Sequence, residues 1–307
     1  MFEWPNFLPV ENHLVVTALQ RRVGCLDSGA AVDDTIPDAY CEATYHVQCD
    51  AERPDRMTLS YTLWPSFDRA DTILRASKTI ASACQGVAQV RPTPLPGSDL
   101  SLEVDLRALS ERSDSETLAK RLASLYVFTA GLPLRDMFQR AAEGESVADT
   151  AKVVQVSGEQ VLYVQEGYGG RDAVAVIFPI RRKGAADDVL CTSFLQEFAA
   201  FRQSAALGGS PSCTFSKQTP PELQGTLQSG EEEHFGCFIK FVFNQRHLTP
   251  DKLDAAVWSM LSFLPLIAYH IKCCKLAMHT SMRKRVGSMM KVLNRATLES
   301  TADDLLQ

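Results

Sequence analysis

The histidines and serines of this chain do not form a recognisable catalytic or metal-binding pattern. The six histidines include no His-x-x-x-His pair, the spacing that places two metal ligands on one face of a helix. His270 and Cys274 are the only ligand-like helical pair, and we interpret them as a surface histidine and a core thiol. No Gly-x-Ser-x-Gly nucleophile turn occurs. The sequence therefore predicts a protein that is not an enzyme and has no cofactor or bound metal.

A glycine-rich segment and an acidic segment are two further candidates for ligand sites. Residues 167–170 lack the Lys-Ser or Lys-Thr of a phosphate-binding loop and lie between two predicted strands, so we interpret them as a hairpin turn. Asp187 and Asp188 fit the start of a helix better than a metal site, because the helix dipole favours carboxylates there. We expect Asp188 to cap that helix.

The cysteines and the N-terminus bear on the cellular compartment. Nine cysteines, an odd number, are scattered without a Cys-x-x-Cys pair, which indicates buried thiols in a reducing compartment. Residues 1–5 lack the basic and apolar regions of a secretory signal. The longest apolar run, residues 263–268, is too short to cross a bilayer. We therefore predict a cytoplasmic protein without a transmembrane segment.

Composition and charge indicate a soluble globular chain with one basic surface. The 307 residues are 45% apolar and 22% charged, and their length suits two domains. The net charge is −6, but residues 249–307 contain eight Lys and Arg against five Asp and Glu. An acidic body with a basic C-terminal region does not favour general nucleic-acid or membrane binding.

The C-terminal region reads as one long helix at about residues 250–296. Thr249 can cap it, Pro250 suits the first helical position, and Asp251 and Asp254 suit its positive end. Pro265 removes one backbone hydrogen bond, so we expect a bend nearby.

Two faces run along this helix. Apolar residues recur every three or four positions, which predicts a buried stripe. The stripe comprises Leu253, Val257, Met260, Leu264, Ile267, Ile271, Cys274, Met278, Met282, Val286, Met289 and Leu293. A basic face follows, made of Lys272, Lys275, His279 and Arg283, with Lys284, Lys291 and Arg295 turning around the helix. No acidic residue lies between Asp254 and Glu299, so this face is available to a partner.

The remaining sequence alternates helix and strand patterns in two similar units. We predict helices at 12–23, 68–83, 113–128, 133–142 and 189–203, and strands at 41–47, 57–63, 100–106, 152–156, 160–165, 172–179, 212–216 and 235–244. Residues 113–116 form a capping-box pattern, and Leu14 and Leu74 are expected to face the core. The fold class is α+β, with two tandem domains of antiparallel sheet with helices on one face, divided into 1–130 and 131–307.

Several segments carry a resemblance to a known family. The most specific are 269–275, 279–283 and 291–296 on the last helix, and weaker matches lie at 194–198, 214–216, 220–223, 238–243 and 246–247, and at Asn12. Together they resemble subunit 2 of the actin-related protein 2/3 (Arp2/3) complex, in the family's order over nearly the whole chain.

The resemblance implies a non-catalytic scaffold that supports actin nucleation and filament branching. Its expected partners are subunit 4, the two actin-related proteins and the side of an existing actin filament. The residues expected to pack on the partner helix are Ile271, Cys274, Met278, Met282, Met289 and Leu293. The residues expected to face actin are Lys272, Lys275, Arg283, Lys284, Lys291 and Arg295.

An alternative function is a stand-alone binder of phosphoinositide or nucleic acid through the same basic helix. Tyr269 is the only aromatic residue among these basic residues, which disfavours this alternative.

Overall fold

The computed structural model describes residues 9–26, 31–38, 43–63, 69–145, 151–155, 160–170, 172–202, 209–227 and 231–304. The helices there are α1 (His13–Val23), α2 (Arg69–Ala83), α3 (Leu106–Glu111), α4 (Ser115–Leu122), α5 (Leu125–Phe128), α6 (Leu132–Glu143), α7 (Ala185–Arg202) and α8 (Leu253–Asp304). The strands are β1 (Val32–Pro37), β2 (Ala43–Cys49), β3 (Arg56–Leu63), β4 (Ala88–Val90), β5 (Leu100–Asp105), β6 (Lys152–Gln155), β7 (Val161–Glu166), β8 (Ala173–Arg181), β9 (Ser212–Ser216) and β10 (Phe235–Asn244).

The strands form two five-stranded antiparallel sheets with equivalent topology. The first sheet has the order β1-β2-β3-β5-β4 and the second β6-β7-β8-β10-β9. In each, the fourth and fifth strands along the chain exchange places, so the two units repeat one connection pattern. This arrangement confirms the α+β fold with two antiparallel sheets. The division into domains at residues 130 and 131 stays a prediction.

The start of α1 agrees with the sequence-based prediction, and the starts of α4 and α7 differ from it. The side chain of Asn12 accepts hydrogen bonds from the backbone N–H groups of Leu14 and Val15. Asp114 precedes α4 without a side-chain cap, so the predicted capping box is wrong. α7 begins at Ala185, ahead of the predicted cap Asp188. The predicted helix at 113–128 is divided into α4 and α5.

Some predicted inward residues point outward. Leu14 is 59% exposed and Leu74 is 55% exposed, because Val15, Leu19, Ala76 and Ile80 occupy the buried faces of α1 and α2. Asp68, the predicted start of α2, and Cys41, the predicted start of β2, lie outside the described residues.

The predicted bounds of α8 are wrong at both ends. The backbone carbonyl of Thr249 accepts hydrogen bonds from the N–H groups of Lys252 and Leu253, so residues 249–252 form a turn and α8 begins at Leu253. It continues to Asp304, beyond the predicted end at 296, and passes through Pro265 as one 52-residue helix. The bend expected near Pro265 stays a prediction.

One hydrophobic core contains side chains from both sheets and from the first part of α8. The backbone N–H of Leu125 donates to the hydroxyl of Tyr45, which ties α5 to the first sheet at 3.0 Å. Gly131 precedes α6 and lies close to α8, where a Cβ atom would come within 2.8 Å of Leu261 Cδ1 and 3.0 Å of Val257 Cγ1. A side chain at position 131 would therefore push α8 away.

Candidate protein-binding surface on the C-terminal helix

The first part of α8 is a core helix. Trp258 and Phe263 are 2% and 1% exposed, and the ring of Phe263 lies 5.0 Å from the centroids of both Phe178 and Phe241. The same ring lies 5.6 Å from Phe198 of α7. Aromatic packing of this kind on three elements fixes the position of the helix.

The second part of α8 leaves the core. From Leu276 to Arg295 every residue is exposed. The large apolar side chains there are about half or more exposed, and they are Leu276, Met278, Met282, Val286, Met289, Met290, Val292 and Leu293. At ~1.5 Å per residue, the segment from Lys275 to Asp304 is about 45 Å long. The exposed apolar side chains run from Leu276 to Leu293, which is about 27 Å of this helix at ~1.5 Å per residue. A row of this kind is typical of a protein-binding surface.

The predicted packing residues do not all lie on this exposed segment. Ile271 is half-buried and packs against the protein's own core. The other five, Cys274, Met278, Met282, Met289 and Leu293, are exposed. We call these five, together with Val286, the apolar stripe. The prediction of a buried thiol is therefore wrong for Cys274, and also for Cys25 and Cys273, which are exposed. Contact between the stripe and a partner helix stays a prediction.

The residues of the predicted basic face differ in their contacts. Lys275 forms an ion pair with Asp187 at the start of α7, so its charge is already engaged within the chain. Arg283, Lys284, Lys291 and Arg295 are exposed, and no ion pair joins them to another residue within the described part of the chain. Lys272 is exposed beside the core.

The angular positions explain these differences. At ~100° per residue, Met282 and Lys275 lie roughly 20° and roughly 40° from Ile271 around the helix axis, so Lys275 shares the side of the apolar stripe. Arg283 and Lys284 lie roughly 120° and roughly 140° away on either side. The expectation that the whole basic face points away from the stripe is therefore wrong for Lys275. Sequence reasoning also omitted Leu276 and Met290, whose exposed apolar side chains interrupt the basic face.

A groove lies where α8 leaves the body. Its volume is about 250 Å³, and α8 contributes Ile267, Ile271 and Lys272 to its lining. The other walls come from α7, β7, β8 and β10, and include Ile180 and Cys191. Its lining is mixed, with cationic groups at Arg181, Lys183, Lys272 and Lys275 beside Asp187 and Asp188.

Several polar residues in the segments that resemble the family, and in the glycine-rich segment, form contacts within the protein. Lys240 donates to Glu222 at 2.7 Å and to the Tyr168 hydroxyl at 3.0 Å, so the 220–223 segment is fixed to β10. Burial is the largest influence on Glu222 and opposes its ionisation, but the hydrogen bond from Lys240, a backbone hydrogen bond and the positive charge of Lys240 together outweigh burial and lower the pKa of that carboxyl. His270 stacks on Phe194 with ring centroids 5.3 Å apart. Over the described residues, no group of three or more His, Cys, Asp or Glu side chains converges as metal ligands.

The hydropathy of α8 also bears on membrane insertion. By length and composition alone, Leu253–Arg295 would suffice to cross a membrane. The uninterrupted apolar run at 263–268, on which the sequence-based expectation of no transmembrane segment rests, is much shorter than this helix. Half of its most apolar 18-residue window is buried within the protein. Core helices of soluble proteins share this composition. The burial of Trp258 and Phe263 in this segment is typical of such a core helix.

Comparison with known proteins adds a family to this geometry. Residues 62–300 match the sequence profile described as "Arp2/3 complex, 34 kD subunit p34-Arc". The match includes the second sheet and α8 through its exposed half.

Individual relatives resemble the chain over most of its length. It is 34% identical over 304 residues to actin-related protein 2/3 complex subunit 2A of Arabidopsis thaliana, covering 96% of this chain and 92% of that protein. It is 30% identical over 233 residues to subunit 2 of Dictyostelium discoideum, covering 75% of each. It is 27% identical over 304 residues to subunit 2 of Schizosaccharomyces pombe, covering 93% and 92%.

Proposed function

Because this chain belongs to the family of the 34 kD p34-Arc subunit of the Arp2/3 complex, we propose that it acts as a non-catalytic scaffold subunit of such a complex. In this role it supports actin nucleation and branching by holding other subunits in place. The single observation that carries the proposal is the exposed apolar stripe on a helix whose other half is anchored in the core.

The partner on the apolar stripe is a second helix, which we assign to subunit 4. Cys274, Met278, Met282 and Met289 follow one another at intervals of four, four and seven residues, which is the repeat that packs two helices side by side. Methionine side chains are flexible and adapt to a facing helix. Burial of such a side chain contributes about 1.5–3 kcal/mol, so several together would hold a stable interface.

The exposed cations Arg283, Lys284, Lys291 and Arg295 supply the contact with the side of an acidic actin filament or with the actin-related subunits. They have no ion-pair partner in the described chain, so forming an intermolecular pair breaks none. Lys275 is not part of this contact, since Asp187 engages it.

The cellular location follows from the same family assignment. The relatives' names associate the family with the actin machinery, which supports a cytoplasmic location at the actin cytoskeleton. Nothing in the family assignment supports the alternative of a stand-alone binder of phosphoinositide or nucleic acid.

Affinity purification from the source cells tests the proposal. A tag on the N-terminus should recover the other subunits of an Arp2/3 complex in equal amounts, as identified by mass spectrometry. Recovery of the chain alone, or with an unrelated set of proteins, would contradict the scaffold assignment. Recovery of the complex without subunit 4 would contradict the partner assigned to the stripe.

A further inference from the structure

Ser288 lies on the exposed half of α8 among basic side chains. Its side chain is exposed, and its hydroxyl donates a hydrogen bond of 3.1 Å to the backbone carbonyl of Lys284, one turn earlier. Lys284 and Lys291 stand four residues before and three residues after Ser288, and Arg295 stands seven residues after it. Residues at these spacings share one face of a helix, with neighbouring Cβ atoms about 5–6 Å apart. The helix therefore places a hydroxyl inside a group of cations.

The residues before Ser288 form a charge pattern that basic-selective protein kinases recognise. Residues 283–285 are Arg-Lys-Arg, and Arg285 stands three residues before the serine. Kinases distinguish their substrates by complementary charge, and a kinase with an acidic substrate cleft favours arginine at this spacing. The sequence before Ser288 supplies that arginine and two further cations.

The surroundings of Ser288 distinguish it from other serines at the same spacing from an arginine. Arg-x-x-Ser also occurs at Ser110, Ser115 and Ser124. Ser124 is 6% exposed, so its hydroxyl is out of reach of a kinase. Ser110 and Ser115 are each followed by a glutamate, whose charge an acidic cleft repels. Ser288 combines the spacing with exposure and with basic neighbours.

The exposed half of α8 is also suited to the local opening that a kinase requires, since its cleft binds the substrate as an extended segment. Every residue from Leu276 to Arg295 is exposed, so no packing against the body of the chain opposes this opening. Gly287, directly before the serine, favours the helix less than any other residue except proline. Ser288 lies roughly 100° around the helix from Ile271, and therefore beside the apolar stripe rather than within it.

We propose that Ser288 is a phosphorylation site for a kinase that selects basic substrates, and that its phosphate weakens the attachment of the exposed cations of α8 to actin filaments. The second part rests on the function proposed above. The Ser288 oxygen attacks the γ-phosphorus of ATP, the bond from that phosphorus to the β–γ bridging oxygen breaks, ADP leaves, and the serine proton passes to the catalytic aspartate of the kinase. The phosphate adds a charge of about −1.5 to −2 at pH 7 and pairs with Lys284 and Lys291. These cations are then engaged within the chain.

Treatment with cyclic-AMP-dependent protein kinase and Mg-ATP tests the site, in the full chain alone and in its complex. Digestion after lysine gives peptide 285–291, in which Ser288 is the single hydroxyl residue. We expect mass spectrometry to find one phosphate on this peptide. Arg285→Ala should slow its addition severalfold, and Arg107→Ala, at another Arg-x-x-Ser site, should not. The proposal is overturned if peptide 285–291 stays unmodified in both samples, or if the two variants react at equal rates.

Filament binding by a complex with phosphoserine at position 288, incorporated during translation, tests the consequence. Co-sedimentation with actin filaments should show roughly fivefold weaker binding than that of the unmodified complex, with a smaller dependence on salt. Ser288→Ala should bind as the unmodified complex does. Equal binding of the phosphorylated and unmodified complexes overturns the proposal and leaves the scaffold function standing. If the unmodified complex does not sediment with filaments, the proposed filament contact itself is wrong, and this regulation fails with it.

Discussion

Lys275 and Asp187 form an ion pair that joins α8 to the first turn of α7. The pair marks the point at which α8 leaves the body, because Leu266 and Ile267 before it are buried and Leu276 after it is 69% exposed. Its side chains are 41% and 26% exposed. The pair thus separates the buried part of the helix from the exposed part that we propose binds partners.

Lys275→Glu should destabilise this junction. The variant removes the ion pair and places a third carboxylate beside Asp187 and Asp188, and a partly exposed pair of this kind contributes about 0.2–1 kcal/mol. Thermal unfolding of the chain co-purified with subunit 4 should show a lower Tm for Lys275→Glu, and a smaller change for Lys284→Glu, whose side chain is exposed. Equal Tm values for both variants would show that the ion pair does not stabilise the junction.

Gly131→Ala should be among the costlier single changes. A Cβ there would lie 2.6 Å from the carbonyl oxygen of Val127 and 2.8 Å from Leu261 Cδ1, so either α8 or the backbone before α6 must shift. Overpacking of this kind costs about 1–3 kcal/mol.

The matched control for this change is Gly287→Ala, on the exposed half of α8. Apart from its chain neighbours and the backbone of its own helix, no atom lies within 4 Å of the new methyl group there. Alanine favours the helix over glycine by about 1 kcal/mol, so this variant should be neutral or stabilising. Urea unfolding of both variants measures the difference. A similar loss of stability in both would contradict the close approach of Gly131 to α8.

Reversing the charges of Arg283, Lys284 and Lys291 to Glu should weaken attachment to filament sides while the complex stays assembled. Each exposed pair contributes about 0.2–1 kcal/mol, so the three together should lower affinity on the order of tenfold, and added salt should mimic the loss. Co-sedimentation of the intact complex with actin filaments, measured against salt, gives both quantities.

A matched triple reversal tests whether position matters for this effect. Arg21, Lys78 and Lys217 are exposed on other elements, and changing them to Glu alters the net charge by the same amount. This control should bind filaments almost as the unmodified complex does. Equal losses in the two triple variants would show that net charge, rather than the surface of α8, governs attachment.

Regular repetition allowed much of the fold to be predicted. Alternating residues in β3 and β10 and the three-to-four spacing in α8 identified those elements, since one face of each packs on the core. β1 was missed because Asp33 and Asp34 give it no apolar alternation, and its position at the sheet edge leaves them exposed. α3 was missed because its cap, Asp105, is also the last residue of β5.

The site was predictable only along its own helix. The spacing of Met278, Met282 and Met289 was sufficient to expect an apolar stripe. The contact of Lys275 with Asp187 joins residues far apart in the chain, and no local pattern brings them together. The burial of Ile271 likewise depends on where the core ends.

Co-purification with subunit 4 tests most directly whether the apolar stripe is the docking surface. Met282→Asp places a carboxylate in the centre of the stripe, and burying it without a partner costs several kcal/mol. Ser288→Asp adds the same charge to an exposed position roughly 100° from the Ile271 direction. We expect Met282→Asp to lose subunit 4 and Ser288→Asp to retain it. Equal recovery of subunit 4 with both variants would contradict the assignment of the stripe as the partner-binding surface.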